Sequence, residues 1–308
     1  MTTNLTPTGW TDENGTLLGS WTNGRDIVTD DTIINVAQDL TVNTKGGNDI
    51  LVNTGESDSF SIGSNSRLNT GNGNDVISSS GFVGIDLSFN AVLNTGRGND
   101  TISGNGFDGL FLSTSSTIIT GQGNDNIVGE GFAVGINSRG TIVTGQGKDT
   151  VSGVATGDGS DPFIGSTGIS NFEGTINTGS GDDTIIASGQ VLGLSNRSGT
   201  INTGAGNDVI DASTGGFADD DGSGRINLGA GNDVIRGFGN HRGNVNGGNG
   251  YDVAELGFDY DETLLTFGSA NQNSIEISFN SETVSYSNIE AFDFNGQAFS
   301  LEQLLDKV

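Results

Sequence analysis

The chain has 308 residues, of which 53 are Gly, 2 are Pro and none is Cys, and 38 acidic side chains against 11 Lys and Arg leave a formal charge of −27. That balance argues against nucleic acid and anionic membrane surfaces, whose binding needs clustered Lys and Arg, and it favours cations. No apolar run approaches the roughly 20 residues of a spanning helix, which argues against membrane insertion.

At the N-terminus, MTTNLTPTGW has no basic residue before Arg25 and no apolar stretch of the kind a cleaved secretory signal carries. Residues 1–40, with Trp10 and Trp21, read as an N-terminal cap with a degenerate first coil. Length alone would suggest about two domains, and low hydrophobicity with high charge would suit disorder. Both priors yield to an internal period, because repeat architectures grow by stacking.

The period is written in LNTGNGNDVI at 68–77, LNTGRGNDTI at 93–102, IITGQGNDNI at 118–127, IVTGQGKDTV at 142–151, INTGSGDDTI at 176–185, INTGAGNDVI at 201–210 and INLGAGNDVI at 226–235, after a degenerate copy, VNTKGGNDIL, at 42–51. From Asp26 through Asp49, Asp75, Asp100, Asp125, Asp149, Asp183, Asp208 and Asp233 to Asp252 the intervals are 23, 26, 25, 25, 24, 34, 25, 25 and 19. The surplus in the interval of 34 falls at TGDGSDPFI, 156–164, which reads as an inserted extra copy.

An aliphatic residue stands two places before the turn's Thr or Leu (Val42, Leu68, Leu93, Ile118, Ile142, Ile176, Ile201, Ile226) and another two places after the aspartate (Leu51, Ile77, Ile102, Ile127, Val151, Ile185, Ile210, Ile235). Strand side chains alternate faces, so stacked copies line these up as two inward columns. A third apolar stretch, Ile85 and Leu87, Leu110 and Leu112, Val134 and Ile136, Leu192 and Leu194, supplies the remaining wall. The fold expected is all-β, a right-handed parallel β-helix or β-roll solenoid with terminal caps and repeats over 41–256. A sandwich of short antiparallel strands is the rival, but it would not require one turn to recur while the rest of the coil varies.

Within the turn, Gly71 and Gly73 permit backbone angles that other residues resist and leave main-chain carbonyls uncovered. Stacking places the aspartates about 4.8 Å apart, where neighbouring carboxylates repel by roughly 0.9 kcal/mol in water and about 3.5 kcal/mol at an effective dielectric of 20. Something positive between coils would relieve this. Carboxylate and carbonyl oxygens without His or Cys form a hard donor set suited to Ca²⁺, whose larger shell tolerates looser geometry than that of Mg²⁺.

These T-G-x-G-N-D-x-I units resemble the RTX, or hemolysin-type calcium-binding, nonapeptide G-G-x-G-x-D-x-U-x, and GGNGYDVAE at 247–255 follows it in its first six places, with Ala254 a small U. The resemblance covers about 42–256. It implies several Ca²⁺ ions held between coils by aspartate carboxylates and main-chain carbonyls, at Asp49, Asp75, Asp100, Asp125, Asp149, Asp183, Asp208, Asp233 and Asp252. The matching glycines are Gly71, Gly73, Gly96, Gly98, Gly121, Gly123, Gly145, Gly147, Gly179, Gly181, Gly204, Gly206, Gly229, Gly231, Gly248 and Gly250. Asp26, Asp158, Asp161 and Asp219, Asp220 and Asp221 stay open as cation ligands. The family carries two such units per coil; about 25 residues with one unit imply a single ion file, with a second edge expected only near 233–252. Thr or Leu replaces the first Gly of most copies.

Residues 257–308 change character, with alternating Ile275, Ile277 and Phe279 and then Val284 and Tyr286, and they read as a β-rich cap. Ser300 and Gln303 are spaced as a capping box before Leu304 and Leu305. The stretch NIEAFDFNGQAFSL resembles the segment closing many RTX arrays, which implies an uncleaved type I secretion signal and an extracellular protein.

Phe82, Phe107 and Phe132 each follow an anchor by seven places and read as a stacked aromatic ladder, with sugar stacking the sharper alternative. His241 reads as a solvated loop residue, lacking a second His or Cys for a transition-metal set. No catalytic constellation is visible, so the chain is not read as an enzyme. The function expected is a calcium-folded extracellular structural or surface protein; the alternatives are a module for polysaccharide or ice, self-association, or a polysaccharide lyase or epimerase.

Overall fold

A residue that returns every 25 positions beside the same turn can meet its own copy one coil away, and parallel pairing does this throughout the chain. In the computed structural model, which describes residues 2–30, 33–55, 59–158, 165–219, 222–261, 265–267 and 273–307, the strand Thr117–Gln122 lies parallel to Thr141–Gln146 with Ile118 opposite Ile142, and that strand lies parallel to Thr175–Ser180 with Ile142 opposite Ile176. After the turn, Asn126–Ser138 pairs in parallel with Thr150–Ala155, Ile127 opposite Val151. Thirty-three strands join in one unclosed and mostly parallel sheet. The fold is a parallel β-helix of three-walled coils: one wall leads into the glycine turn, one leaves it, and the third closes the coil.

Both expected aliphatic columns are in the interior, from Val42 through Ile226 on the leading wall and from Leu51 through Ile235 on the leaving wall, each residue at most 1% exposed. Each Ile or Leu so placed contributes about 1.5–3 kcal/mol on burial. A lone coil would have nothing above or below to bury it against, so the stack is the folding unit.

The third wall departs from expectation. Ile85 faces Leu110, and Leu110 faces Ile136, Ile169 and Leu194 in turn, but Val134 faces Asp108 and Leu192 faces Thr167, on the half-buried outer side. The same place is outward in the coils before it, Val83 opposite Asp108, because a buried glycine (Gly84, Gly109, Gly135, Gly193) breaks the alternation just ahead of the inner aliphatic. A register shift between Gly106 and Asp108 adds a residue to the later coils. The second inner place passes from Leu87 and Leu112 to Ser138 and Asn171. Asn171 and Asn196 are fully buried there, and the Asn171 Nδ2 donates to Asn196 Oδ1 at 2.8 Å.

Both ends of the stack are covered. Thr2–Thr6 runs parallel to Ile33–Val36 and antiparallel to Gly9–Thr11; Trp10 packs on Trp21 with centroids 5.0 Å apart, and Trp21 Nε1 donates to the Thr6 carbonyl. At the other end Glu282–Ser287 joins the last full coil in parallel and carries Ser274–Phe279 and Leu265–Phe267 antiparallel beyond it. Ala291–Phe294 stacks on Val253–Glu255 and hairpins to Gln297–Ser300. The helix Leu301–Leu305 follows, with both capping-box bonds made: Ser300 N–H donates to Gln303 Oε1 at 2.8 Å and Gln303 N–H to Ser300 Oγ at 3.2 Å. Ser300→Ala is expected to cost about 1 kcal/mol, read as a lower urea midpoint at unchanged slope.

His241 is also placed differently from expectation. It lies in the strand Asn240–Asn249, fully buried with neither ring nitrogen hydrogen-bonded, 6.4 Å from the Phe217 ring. Burial without a partner depresses its pKa to about 4, and it packs as a neutral ring. Stacking on the third wall turns this residue inward, which its loop-like sequence surroundings did not announce.

Candidate metal centre

The repeated turn is built around a break in the main-chain ladder. Up to the second glycine the coils bond as a sheet does: Arg97 N–H donates to the Gly71 carbonyl at 3.0 Å and Gly73 N–H to the Arg97 carbonyl at 2.7 Å. The next two amides turn to side chains. Asn99 N–H donates to Asn74 Oδ1 in the coil before, and Asp75 N–H donates to Asp100 Oδ1 in the coil after, each at 2.8 Å. The ladder then resumes as Thr101 N–H donates to the Asp75 carbonyl at 2.8 Å. The dipeptide Asn-Asp therefore supplies two acceptors pointing in opposite directions along the stack. Each satisfies an amide that would otherwise be lost.

The glycines make this turn possible. Gly98 sits at φ 137°, and a Cβ on it would lie 1.8 Å from the Gly73 carbonyl oxygen. The second-glycine carbonyl of each coil presses on the bare Cα of the next, at a separation a methyl group would forbid. Lys45, at φ 83°, stands in the first-glycine place of its copy, and its Nζ donates to the Trp21 carbonyl at 2.7 Å.

Asp49, Asp75, Asp100, Asp125, Asp149, Asp183, Asp208, Asp233 and Asp252 form one file, each at most 2% exposed. Every Oδ1 accepts the amide of the aspartate one coil earlier, from Asp26 N–H on Asp49 to Asp233 N–H on Asp252. The other oxygen is left over: Oδ2 of Asp75, Asp100, Asp125, Asp149, Asp183, Asp208, Asp233 and Asp252 is buried without a hydrogen-bond partner. The adjacent Thr hydroxyls are engaged along the stack, Thr70 with the Thr95 carbonyl and Thr144 with the Thr178 carbonyl.

Burial raises the pKa of each of these nine carboxyls, and the accepted amide opposes it throughout. From Asp49 to Asp208 the Thr hydroxyl five places before the anchor also lies close enough to favour the charged form, whereas Asp252, with Gly247 at that place, has no such neighbour. Asp100, Asp183 and Asp233 reach about 6, with the charges of neighbouring aspartates adding to desolvation. Leu228 stands where most copies have Thr, so Asp233 lacks that relief.

The ends of the file differ. Asp49 Oδ2 accepts the Thr44 hydroxyl, and Asp26 accepts both the amide and the hydroxyl of Thr22, so both carboxylates have partners on both oxygens. At the far end the Asp252 amide donates at 2.7 Å to Glu290 Oε2. Glu290 takes the anchor place in the capping coil, one that Glu-Ala-Phe signals by aligning with Asp-Val-Ala of 252–254. The sequence reading missed this residue and the Asn acceptors, although Asn recurs before the anchor at positions 48, 74, 99, 124, 207 and 232.

The donor set suits a hard cation: between each pair of coils from Asp75 to Asp252 two partnerless carboxylate oxygens follow one another along the stack. Among the described residues no three acidic, His or Cys side chains converge. Main-chain and Thr oxygens would therefore have to complete any shell. The file occupies one edge. At the opposite corner, left-handed residues such as Asn65 and Asn90 make an amide ladder instead, Asn90 Nδ2 donating to Asn65 Oδ1 at 3.1 Å. The short 233–252 coil loses its residues at the corners away from the file, where Gly237–Gly239 makes a three-residue passage to the third wall.

Thr156, Gly157 and Asp158 do not stack on the file; Gly159 lies outside the described residues. Gly157 N–H donates to the Phe132 carbonyl at the corner between the leaving and third walls, which places Asp158 there as well. Asp161, Asp220 and Asp221 lie outside the described residues. Phe82, Phe107 and Phe132 stack along that same corner with centroids 5.5 and 6.2 Å apart and remain 65%, 36% and 48% exposed. Phe82 and Phe107 lie nearly parallel and Phe132 is tilted by 33° to Phe107, so the three form the expected aromatic ladder along an exposed edge. No protein-family model matches the chain, and no curated protein matches it in sequence.

Proposed function

We propose that this chain is a non-catalytic, calcium-stabilised solenoid that completes its folding outside the cell, where calcium is plentiful, and serves there as a structural or surface protein. The observation that carries the reading is the set of eight buried aspartate oxygens without a partner. A buried carboxylate in that state costs several kcal/mol unless it binds a proton or a cation. At neutral pH a proton is scarce, since the highest of these carboxyls titrate at about 6, and a divalent ion between coils offsets two of them at once. Binding coupled to folding would keep the chain loose in a low-calcium cell and rigid once exported. Export by a type I route rests on the resemblance of 288–301 to the closing segment of RTX arrays.

Isothermal titration of the chelated chain with calcium tests the proposal, with several ions bound per chain as the expected result. Asp125→Asn retains the acceptor for the Asp100 amide and removes one partnerless charge. It is expected to bind at least one ion fewer and to gain about 1–2 kcal/mol of stability in chelator at pH 7. Absence of binding at 5 mM calcium, with Asp125→Asn no more stable than the parent in chelator, would remove the proposal.

A further inference from the structure

Where the regular stack ends, the chain opens a cleft of about 600 Å³ between the last coils and the C-terminal cap. Its floor is a column of outward side chains on successive parallel strands, Arg236 opposite Glu255 and Glu255 opposite Asp293, and Asp211 stands opposite Arg236 just outside it. Arg236 Nε holds Glu255 Oε2 at 2.6 Å, and its Nη1 stands 3.9 Å from Asp211 Oδ2. One wall is aromatic: Phe238 meets Phe258 edge-on at 5.0 Å, and Phe258 stacks on Phe279 at 4.0 Å. The rim carries Glu282, Asn280 and Asn295. Gly257 and Gly296 also line it, at φ 76° and 90°, and where their Cβ would be there is open space, so bare backbone faces the cavity.

We infer that this cleft binds a neutral saccharide, a function separate from the aspartate file. The volume suits a ligand of a few sugar rings. Adjacent carboxylates and a planar guanidinium held in place by an ion pair are the groups that engage vicinal hydroxyls, as acceptors and donor side by side. An aromatic wall beside them takes the apolar C–H flank of a pyranose. Three acids, Glu255, Glu282 and Asp293, against one Arg on the lining set the charge preference. They repel uronates and other anionic polymers and leave neutral sugars as the favoured class. None of these residues belongs to the calcium file, so the cleft stands or falls independently of that proposal.

The test is titration of the full chain, in calcium buffer, with cellohexaose, xylohexaose, mannohexaose, laminarihexaose and maltohexaose, and with oligogalacturonate as the anionic control. At least one neutral oligosaccharide is expected to bind with a dissociation constant below about 1 mM, and oligogalacturonate at least tenfold more weakly. Glu255→Gln and Asp293→Asn, at half-buried places, keep side-chain shape and an acceptor oxygen, and each is expected to weaken binding at least tenfold with the far-UV spectrum and a single cooperative melt retained. Phe107→Ala, in the exposed ladder, is expected to leave binding intact. No binding by any of the five sugars overturns the inference, as does binding that Phe107→Ala removes while both acid variants retain it.

Discussion

In chelator the protein is expected to be more stable at pH 4 than at pH 7, and millimolar calcium is expected to reverse that order. A carboxyl whose pKa is about 6 in the fold and 3.8 without it, as for Asp100, Asp183 and Asp233, binds its proton more tightly when folded. Its stabilising effect is complete below the unfolded value and is lost as pH rises through the folded one. The loss falls between about pH 4 and pH 6 and amounts to about 3 kcal/mol for each such group. Calcium acts the other way, since it needs the ionised form. At free calcium fifty times the dissociation constant each ion adds about 2 kcal/mol, and the seven gaps between the eight partnerless oxygens from Asp75 to Asp252 multiply that. Thermal melts by circular dichroism at pH 4, 5, 6 and 7, with chelator and with 5 mM calcium, measure both effects. Asp183→Asn should flatten the chelator slope by one group's share, which separates the file from relief of the general charge of −27. A melting point in chelator that climbs from pH 4 to pH 7, and that calcium leaves unmoved, would contradict the account.

Gly123→Ala should be among the most damaging single methyls in the stack. Gly123 holds φ 137°, and a Cβ there would lie 1.8 Å from the Gly98 carbonyl oxygen and 2.5 Å from its carbon. All of those atoms are backbone, so no side chain can swing aside. Relief means prying two coils apart, which strains the bond from Gly98 N–H to the Gln122 carbonyl, 2.7 Å, and that from Gln122 N–H to the Gly96 carbonyl, 3.2 Å. We expect a loss of at least about 4 kcal/mol, the range reached only by clashes and broken networks. Gly257→Ala is the control. It also has a positive φ, 76°, but open space around the added methyl, so only the backbone term of about 1–2 kcal/mol applies. Urea midpoints compare the two; equal losses would show that backbone angle, not coil contact, selects glycine in the turn.

The period carried the architecture because a solenoid reuses one local solution, and a local solution leaves its pattern in the chain. Aliphatic residues at fixed offsets from the anchor identified the leading and leaving walls, and each of those residues is interior. The capping box at Ser300 and Gln303 was equally legible, since its partners are three residues apart. The third wall was less so: a buried glycine, Gly135 or Gly193, sits directly before the inner aliphatic and interrupts the two-residue alternation, so spacing alone assigns Val134 and Leu192 to the wrong face.

The anchor aspartates could be read as a file from sequence, and their repulsion follows from the coil spacing. Which oxygen of each is free could not, because it depends on where an amide 25 residues away points. Only the stacked coils show Oδ1 spent on the preceding aspartate's N–H and Oδ2 left over, Asp49 relieved by Thr44, and Glu290 closing the file. The cleft is tertiary for the same reason. Arg236, Glu255 and Asp293 are separated by 19 and 38 residues, and they become neighbours through parallel register, a pairing of chain segments that no local pattern encodes. What repeats along the chain was determined by the sequence alone; what one coil does to the next was decided by the stack.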